Sequence, residues 1–148
     1  MSQNNNIGFN LIQIKTEEFA LFEENYLDNE EINLDTNLIL GINENEKIFN
    51  VTTKYIYQIN KKPFMSLKMS CFFSIEKSSW NRFLSKEKNI IIFPKGFVAH
   101  MTMLTVGTSR GVLHSKTNGT PFNKYVLPTL NINAMVLEDV NFEIDKGK

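Results

Sequence analysis

The sequence predicts an α+β domain: an antiparallel sheet with one long helix packed on a face. Two observations carry that expectation. Three successive stretches alternate apolar and polar side chains with a period of two, the pattern of half-buried antiparallel strands. Behind them, a stretch opening at Pro94 changes to helical spacing, with Phe97, Met101, Leu104, Thr108 and Val112 on one side. The length of 148 residues fits a single domain over residues 1–148, and a 42% hydrophobic, 22% charged composition excludes a mostly disordered chain.

The elements follow in order. Residues 7–15 are a weaker strand: Phe9 and Leu11 share a face, whereas Ile12 and Ile14 straddle both. Over residues 31–42 the apolar positions are even (Ile32, Leu34, Leu38, Leu40, Ile42). Over residues 47–59 they are odd (Phe49, Val51, Tyr55, Tyr57, Ile59), and odd again over residues 64–76 (Met65, Leu67, Met69, Cys71, Phe73, Ile75). Asn43-Glu44-Asn45 and Asn60-Lys61-Lys62 supply the hairpin turns, and Pro63, which cannot donate to a ladder, suits a strand start. Ser78-Ser79 is read as the cap of a short helical turn through Trp80, Phe83 and Leu84. The long helix is expected over about 94–113, with Pro94 in its first turn. Gly107 and Gly111 inside it imply either close backbone packing or a helix that ends by Thr105, because each costs about 1 kcal/mol against alanine. Asn118-Gly119-Thr120-Pro121 is a turn cluster, and residues 135–144 alternate again as an extra C-terminal strand.

Charge is zero overall and uneven along the chain. Residues 16–46 hold ten acids and no Lys or Arg; residues 47–124 hold thirteen bases against Glu76 and Glu87. The simpler reading is that these segments neighbour one another in one sheet and offset across strands; the other is a charged docking face. No leader-like segment and no long apolar run is evident, so the expectation is a cytoplasmic chain without membrane insertion.

The residue types that carry chemistry are sparse. The single Cys71 lies on an apolar strand face and reads as a small core hydrophobe. His100 and His114, on one helix, stand about 21 Å apart by rise alone and cannot share a metal. Gly107-Thr108-Ser109-Arg110-Gly111 lacks the lysine and spacing of a phosphate loop, and Arg110 is expected to pair with a carboxylate. Lysines are scattered and arginine is scarce, which disfavours nucleic acid as a partner. No enzyme activity, cofactor or metal is expected. A more informative feature is the set of apolar residues opposite the core stripes: Ile39, Ile48, Ile56, Phe64 and Phe72 would form a second apolar sheet face.

At Asn89-Ile90-Ile91-Ile92-Phe93-Pro94 the chain resembles the SecB-type protein-export chaperones, whose antiparallel meander leads through an Asn-Ile-Leu-Phe-Pro-like entry into a long helix. Leu127-Pro128-Thr129-Leu130-Asn131 resembles a later Pro-x-x-Asn-like segment of that family, and the order of elements fits over roughly residues 7–133. The resemblance implies a SecB-like, Greek-key-like sheet and a homo-oligomer, dimer or tetramer. It also implies an ATP-independent holdase that binds unfolded or partly folded polypeptides in apolar grooves. On that analogy Leu38, Leu40, Phe97, Met101 and Leu104 are groove or oligomer contacts. The chain departs from the family in three places. The expectation is that it lacks the Cys-containing zinc tail, inserts residues around 107–124, and carries a strand at 135–144 where the family has a helix. Those departures keep open an alternative, a SecB-like module that holds one specific folded partner, for example an antitoxin-type client, without general holdase activity.

Overall fold

The computed structural model describes residues 6–144 of the chain. Strands β1 (Phe9–Leu21), β2 (Asn33–Asn43), β3 (Ile48–Ile59) and β4 (Lys62–Ile75) form one antiparallel sheet in the order β1-β4-β3-β2. The three alternating stretches are the meander β2-β3-β4, with the expected odd positions of β3 and β4 buried and the expected even positions of β2 half-buried. The acidic residues 22–32 carry the chain from one edge of this sheet to the other. Both hairpins close as their residues dictate. Asn43 Oδ1 accepts from the Glu46 N–H at 3.1 Å. Asn60 and Lys61 both adopt left-handed φ, +53° and +67°, as a two-residue turn matched to strand twist requires.

β1 is longer than the sequence suggests, and two register shifts, between Leu11 and Gln13 and between Thr16 and Glu18, explain why its pattern is hard to read. Each bulge admits one extra residue, so the residues facing the helix are spaced by three where a regular strand would space them by two. Leu11 lies opposite Phe73, Ile14 opposite Cys71, and Phe19 opposite Leu67. A third shift, between Tyr57 and Gln58, corrects the expectation for Phe64. That residue is extra in β4, turns to the core side, is fully buried, and meets the rings of Tyr26, Phe122 and Tyr125.

Helix α1 (Lys77–Phe83) starts ahead of Ser78-Ser79, so neither serine is its cap. Ser79 is buried, and its hydroxyl accepts from the Gly8 N–H at 3.0 Å, tying the entry of β1 to α1. A second, small sheet was not expected. β5 (Leu84–Ser85), β6 (Ile90–Phe93) and β7 (Val140–Glu143) pair antiparallel with β6 in the middle, so the last strand pairs within its own chain. The strand expected over 135–144 shortens to Val140–Glu143: Met135 ends a turn of helix, α3 (Ile132–Met135), capped by Asn131 through the Ala134 N–H, and Asp139 turns its carboxylate to the Lys95 N–H just ahead of the strand.

The long helix α2 runs Lys95–Lys116, and Pro94 is its cap residue rather than its first helical one. It continues through both glycines, and neither expected reason for them holds within the chain. A Cβ at Gly107 or Gly111 would meet nothing within 4 Å, because both lie on the exposed side. Burial of Val106, Ser109 and Leu113 on the opposite side holds the helix together there, tertiary packing overriding local propensity. Among the described residues Arg110 pairs with no carboxylate. It donates to the carbonyls of Leu127 at 2.7 Å and Pro128 at 2.8 Å and so straps the segment after α2 to the helix.

Two apolar clusters lie between α2 and the large sheet. One gathers Phe49, Phe73, Trp80, Phe93, Phe97 and Met101 with Cys71, closed over by β6. The other gathers Tyr55, Tyr57, Phe64, Met65, Leu113 and Phe122, closed over by residues 121–130. Between them α2 presents hydroxyls to the sheet: Thr53 and Ser109 share a hydrogen bond at 3.3 Å, and Ser109 and Thr105 also donate to helix carbonyls at 2.7 and 2.8 Å.

Candidate functional site

Apolar surface is left open at both margins of the large sheet, and each margin adjoins a groove. Beside β2, Leu38 and Leu40 face the helix side of the sheet, half-buried against the first cluster. With the strap Met135–Asn141 they line a groove of about 490 Å³. The strap is fixed by Asp139, whose Oδ1 accepts from the Lys95 N–H at 2.8 Å and so satisfies one of the free donors at the start of α2. The second groove, about 630 Å³, opens beside the start of β1. Phe9, Phe83 and Phe97 give it an apolar floor, with Pro94 and Gly96 at the helix end and Arg82 and His100 at the rim. Arg82 donates to the Asn6 carbonyl at 2.6 Å and to Ser79 at 3.2 Å, and His100 lies edge-on to Phe9, with ring centroids 5.8 Å apart.

Of the five residues expected to form groove or oligomer contacts, three therefore line grooves: Leu38 and Leu40 in one, Phe97 in the other. Met101 is fully buried in the core, and Leu104 is half-buried against the same cluster. Of the residues expected to form a second apolar face, Phe64 lies in the core and the other four are interspersed with polar side chains. Ile39 is 54% exposed, while Ile48, Ile56 and Phe72 are half-buried among polar neighbours. In register, Ile39 faces Thr52, Ile56 faces Ser66, and Phe72 faces Asn50 and Gln13. Thr52 and Ser70 share a hydrogen bond at 2.7 Å in the middle of this face.

Sequence reasoning missed the strap Met135–Asn141 as a groove wall. The residue that signals it is Asp139, a helix-capping type in a region read as strand. It missed the open face of β1 as well, where Leu11 is 42% and Ile14 50% exposed on the helix side and Ile12 is 52% exposed at the bulge.

Neither groove sets a nucleophile beside a base. Cys71 sits in the first cluster, and burial pushes its thiol up, away from thiolate. Burial likewise pushes the Tyr57 phenol up to about 12. Among the described residues no three His, Cys, Asp or Glu side chains are grouped to hold a metal ion, and no helix is long and apolar enough to cross a membrane.

No protein-family model matches the chain, and no curated protein matches it. Among solved structures it is similar to Rv1957, a SecB-like chaperone of Mycobacterium tuberculosis, in complex with a ChAD peptide from the Rv1956 HigA1 antitoxin. The alignment covers 83% of this chain and 88% of that one, at 9% identity and a TM-score of 0.39. A likeness that distant says nothing of activity or partners.

Proposed function

We propose that the chain is a non-enzymatic, ATP-independent, chaperone-like protein that binds unfolded or partly folded polypeptides and works as a homo-oligomer. The observation that carries this reading is the apolar surface left open along both margins of the sheet, next to grooves with apolar floors. Holding a non-native segment requires apolar area presented by a rigid scaffold, and it requires no reacting group. Self-association has its own support on the helix side. Leu11 and Ile14 lie uncovered on the side of the sheet where α2 packs, and α2 exposes Met103 (55%), Gly107 and Gly111 there. A second copy laid against that side would cover this surface.

Light scattering, combined with the aggregation of an unrelated unfolding protein, tests the reading. The expected result is a dimer or tetramer that suppresses aggregation at a near-stoichiometric ratio, with suppression weakened in a Leu11→Asp, Ile14→Asp double variant. A folded protein that leaves aggregation unchanged overturns general holdase activity. If it then captures one folded partner, the module that holds a single client takes its place.

A further inference from the structure

The two grooves are similar in size and opposite in charge. Glu138 and Asp139 stand in the wall of the groove beside β2, which among the described residues no basic side chain lines. The groove beside the start of β1 reverses this: Arg82 and His100 stand at its rim, and among the described residues no carboxylate lines it. Arg82 meets only neutral oxygens there, the Asn6 carbonyl at 2.6 Å and the Ser79 hydroxyl at 3.2 Å, both through Nη2. Its Nε and Nη1 donors have no partner among the described residues, and its charge has no counter-ion among them. Two acids that neighbour the lining residues are turned to other partners: Glu76 Oε1 accepts from the Ser78 hydroxyl at 3.2 Å, and Asp139 Oδ1 from the Lys95 N–H at 2.8 Å. Beneath the rim the floor is aromatic. The Phe9 and Phe97 rings meet edge-on with centroids 6.3 Å apart, and Phe83 lies 5.7 Å from Phe97. Phe9 and Phe83 are half-buried, so each keeps open ring surface.

We propose that the groove beside the start of β1 is a binding site for a small aromatic carboxylate, its ring on the Phe9, Phe83 and Phe97 floor and its carboxylate on the Arg82 guanidinium. Each part of the ligand answers a feature of the groove. A volume of about 630 Å³ is that of a small-molecule site, apolar with a few polar groups to fix orientation. A flat ring joins rings that already pack edge to face. The carboxylate supplies the counter-ion that Arg82 lacks and accepts charge-assisted hydrogen bonds from its unused donors. A cationic ligand would meet Arg82 with like charge, and a neutral one would leave the guanidinium unmatched. The proposal goes beyond the polypeptide-binding reading and does not depend on it: the groove holds its ligand whether or not the chain suppresses aggregation.

The test is equilibrium dialysis of the full chain against 2-naphthoate, measured by its own fluorescence, with 2-naphthylmethanol and 2-naphthylmethylamine as the neutral and cationic counterparts. The acid should bind once per chain with a Kd below about 1 mM, the alcohol about tenfold more weakly, and the amine more weakly still. Arg82→Gln should weaken the acid by about tenfold and change the alcohol by less than about twofold, a split that loss of a merely structural contact would not produce. A side chain at Gly96 starts into open space, since a Cβ there meets nothing within 4 Å. Gly96→Trp should therefore keep the melting temperature and weaken acid and alcohol alike by about tenfold or more, by filling the groove. Glu138→Gln, in the other groove, should leave the acid unchanged. No binding of the acid, equal affinity of acid and alcohol, equal loss of both in Arg82→Gln, insensitivity to Gly96→Trp, or tighter binding in Glu138→Gln, which would seat the ligand beside β2, each overturns the assignment. Aggregation suppression is read separately on the unliganded chain, so the failure of either reading leaves the other to its own result.

Discussion

The two margins of the large sheet are built from similar numbers of residues and solve opposite problems. β1 is kept from growing further by its bulges, yet leaves isoleucine and leucine side chains uncovered. β2 keeps a regular backbone and shelters Leu38 and Leu40 against the first cluster. The difference teaches that exposed apolar side chains and an open backbone edge are separable kinds of stickiness. The first favours packing of surfaces and the second favours addition of strands.

The sharpest way to break that comparison is to place the same charge on each margin. Leu40→Asp puts a carboxylate against the first cluster and should cost about 3 kcal/mol or more in chemical denaturation. Leu11→Asp, at a residue 42% exposed, should cost less than about 1 kcal/mol in a lone chain. Equal losses would mean that the β1 margin is covered in solution. Next in size is an alkaline effect beneath β2, where Tyr57 lies opposite Leu34. Burial raises the Tyr57 pKa from 10.0 to about 12, so the folded chain holds the phenolic proton more tightly than the unfolded chain. Its contribution is complete below about pH 10 and is lost as pH climbs toward 12, a change of about 2–3 kcal/mol. Unfolding free energies of wild type and Tyr57→Phe measured between pH 9 and about 12 should diverge in that direction. Smaller again, Gly107→Ala with Gly111→Ala should stabilise a lone chain by about 1–2 kcal/mol, since each new methyl points into open space. A fall in oligomer mass with that variant would show that a second copy occupies the helix face. The smallest change in stability, within about 0.5 kcal/mol, is expected for Ile39→Lys, whose melting temperature should stay put.

Much of this architecture can be read from the chain where one period rules. The faces of β2, β3 and β4 follow from alternation, whereas helical spacing places the side of α2 correctly only at Phe97 and Met101: Leu104, Thr108 and Val112 are half-buried, and Thr105, Ser109 and Leu113 meet the sheet instead. Legibility fails at single inserted residues. Ile12 and Glu17 shift the phase of β1, and an extra Phe64 turns a residue of apparent outer parity into the core. It also fails where tertiary contacts set element length. Gly107 and Gly111 suggest a break that burial on the opposite side prevents, and Ile90–Phe93 reads as an apolar run until β5 and β7 are found beside it. At the candidate site, Leu38 and Leu40 were accessible to pattern reasoning, whereas their opposing wall was not. The strap Met135–Asn141 is positioned by a hydrogen bond to a residue 44 positions earlier, a relation no local period encodes.

Asp139 has a further consequence. It stands in the wall of one groove and grips the first residue of α2, while the next two residues of that helix, Gly96 and Phe97, shape the other groove. The carboxylate thus acts as a tie bar that holds two seats at a fixed pitch. A long chain draped across this end of the molecule would meet both seats in a set spacing. Pulling on one would load the other through that 2.8 Å bond and through the pairing of Val140 with Phe93.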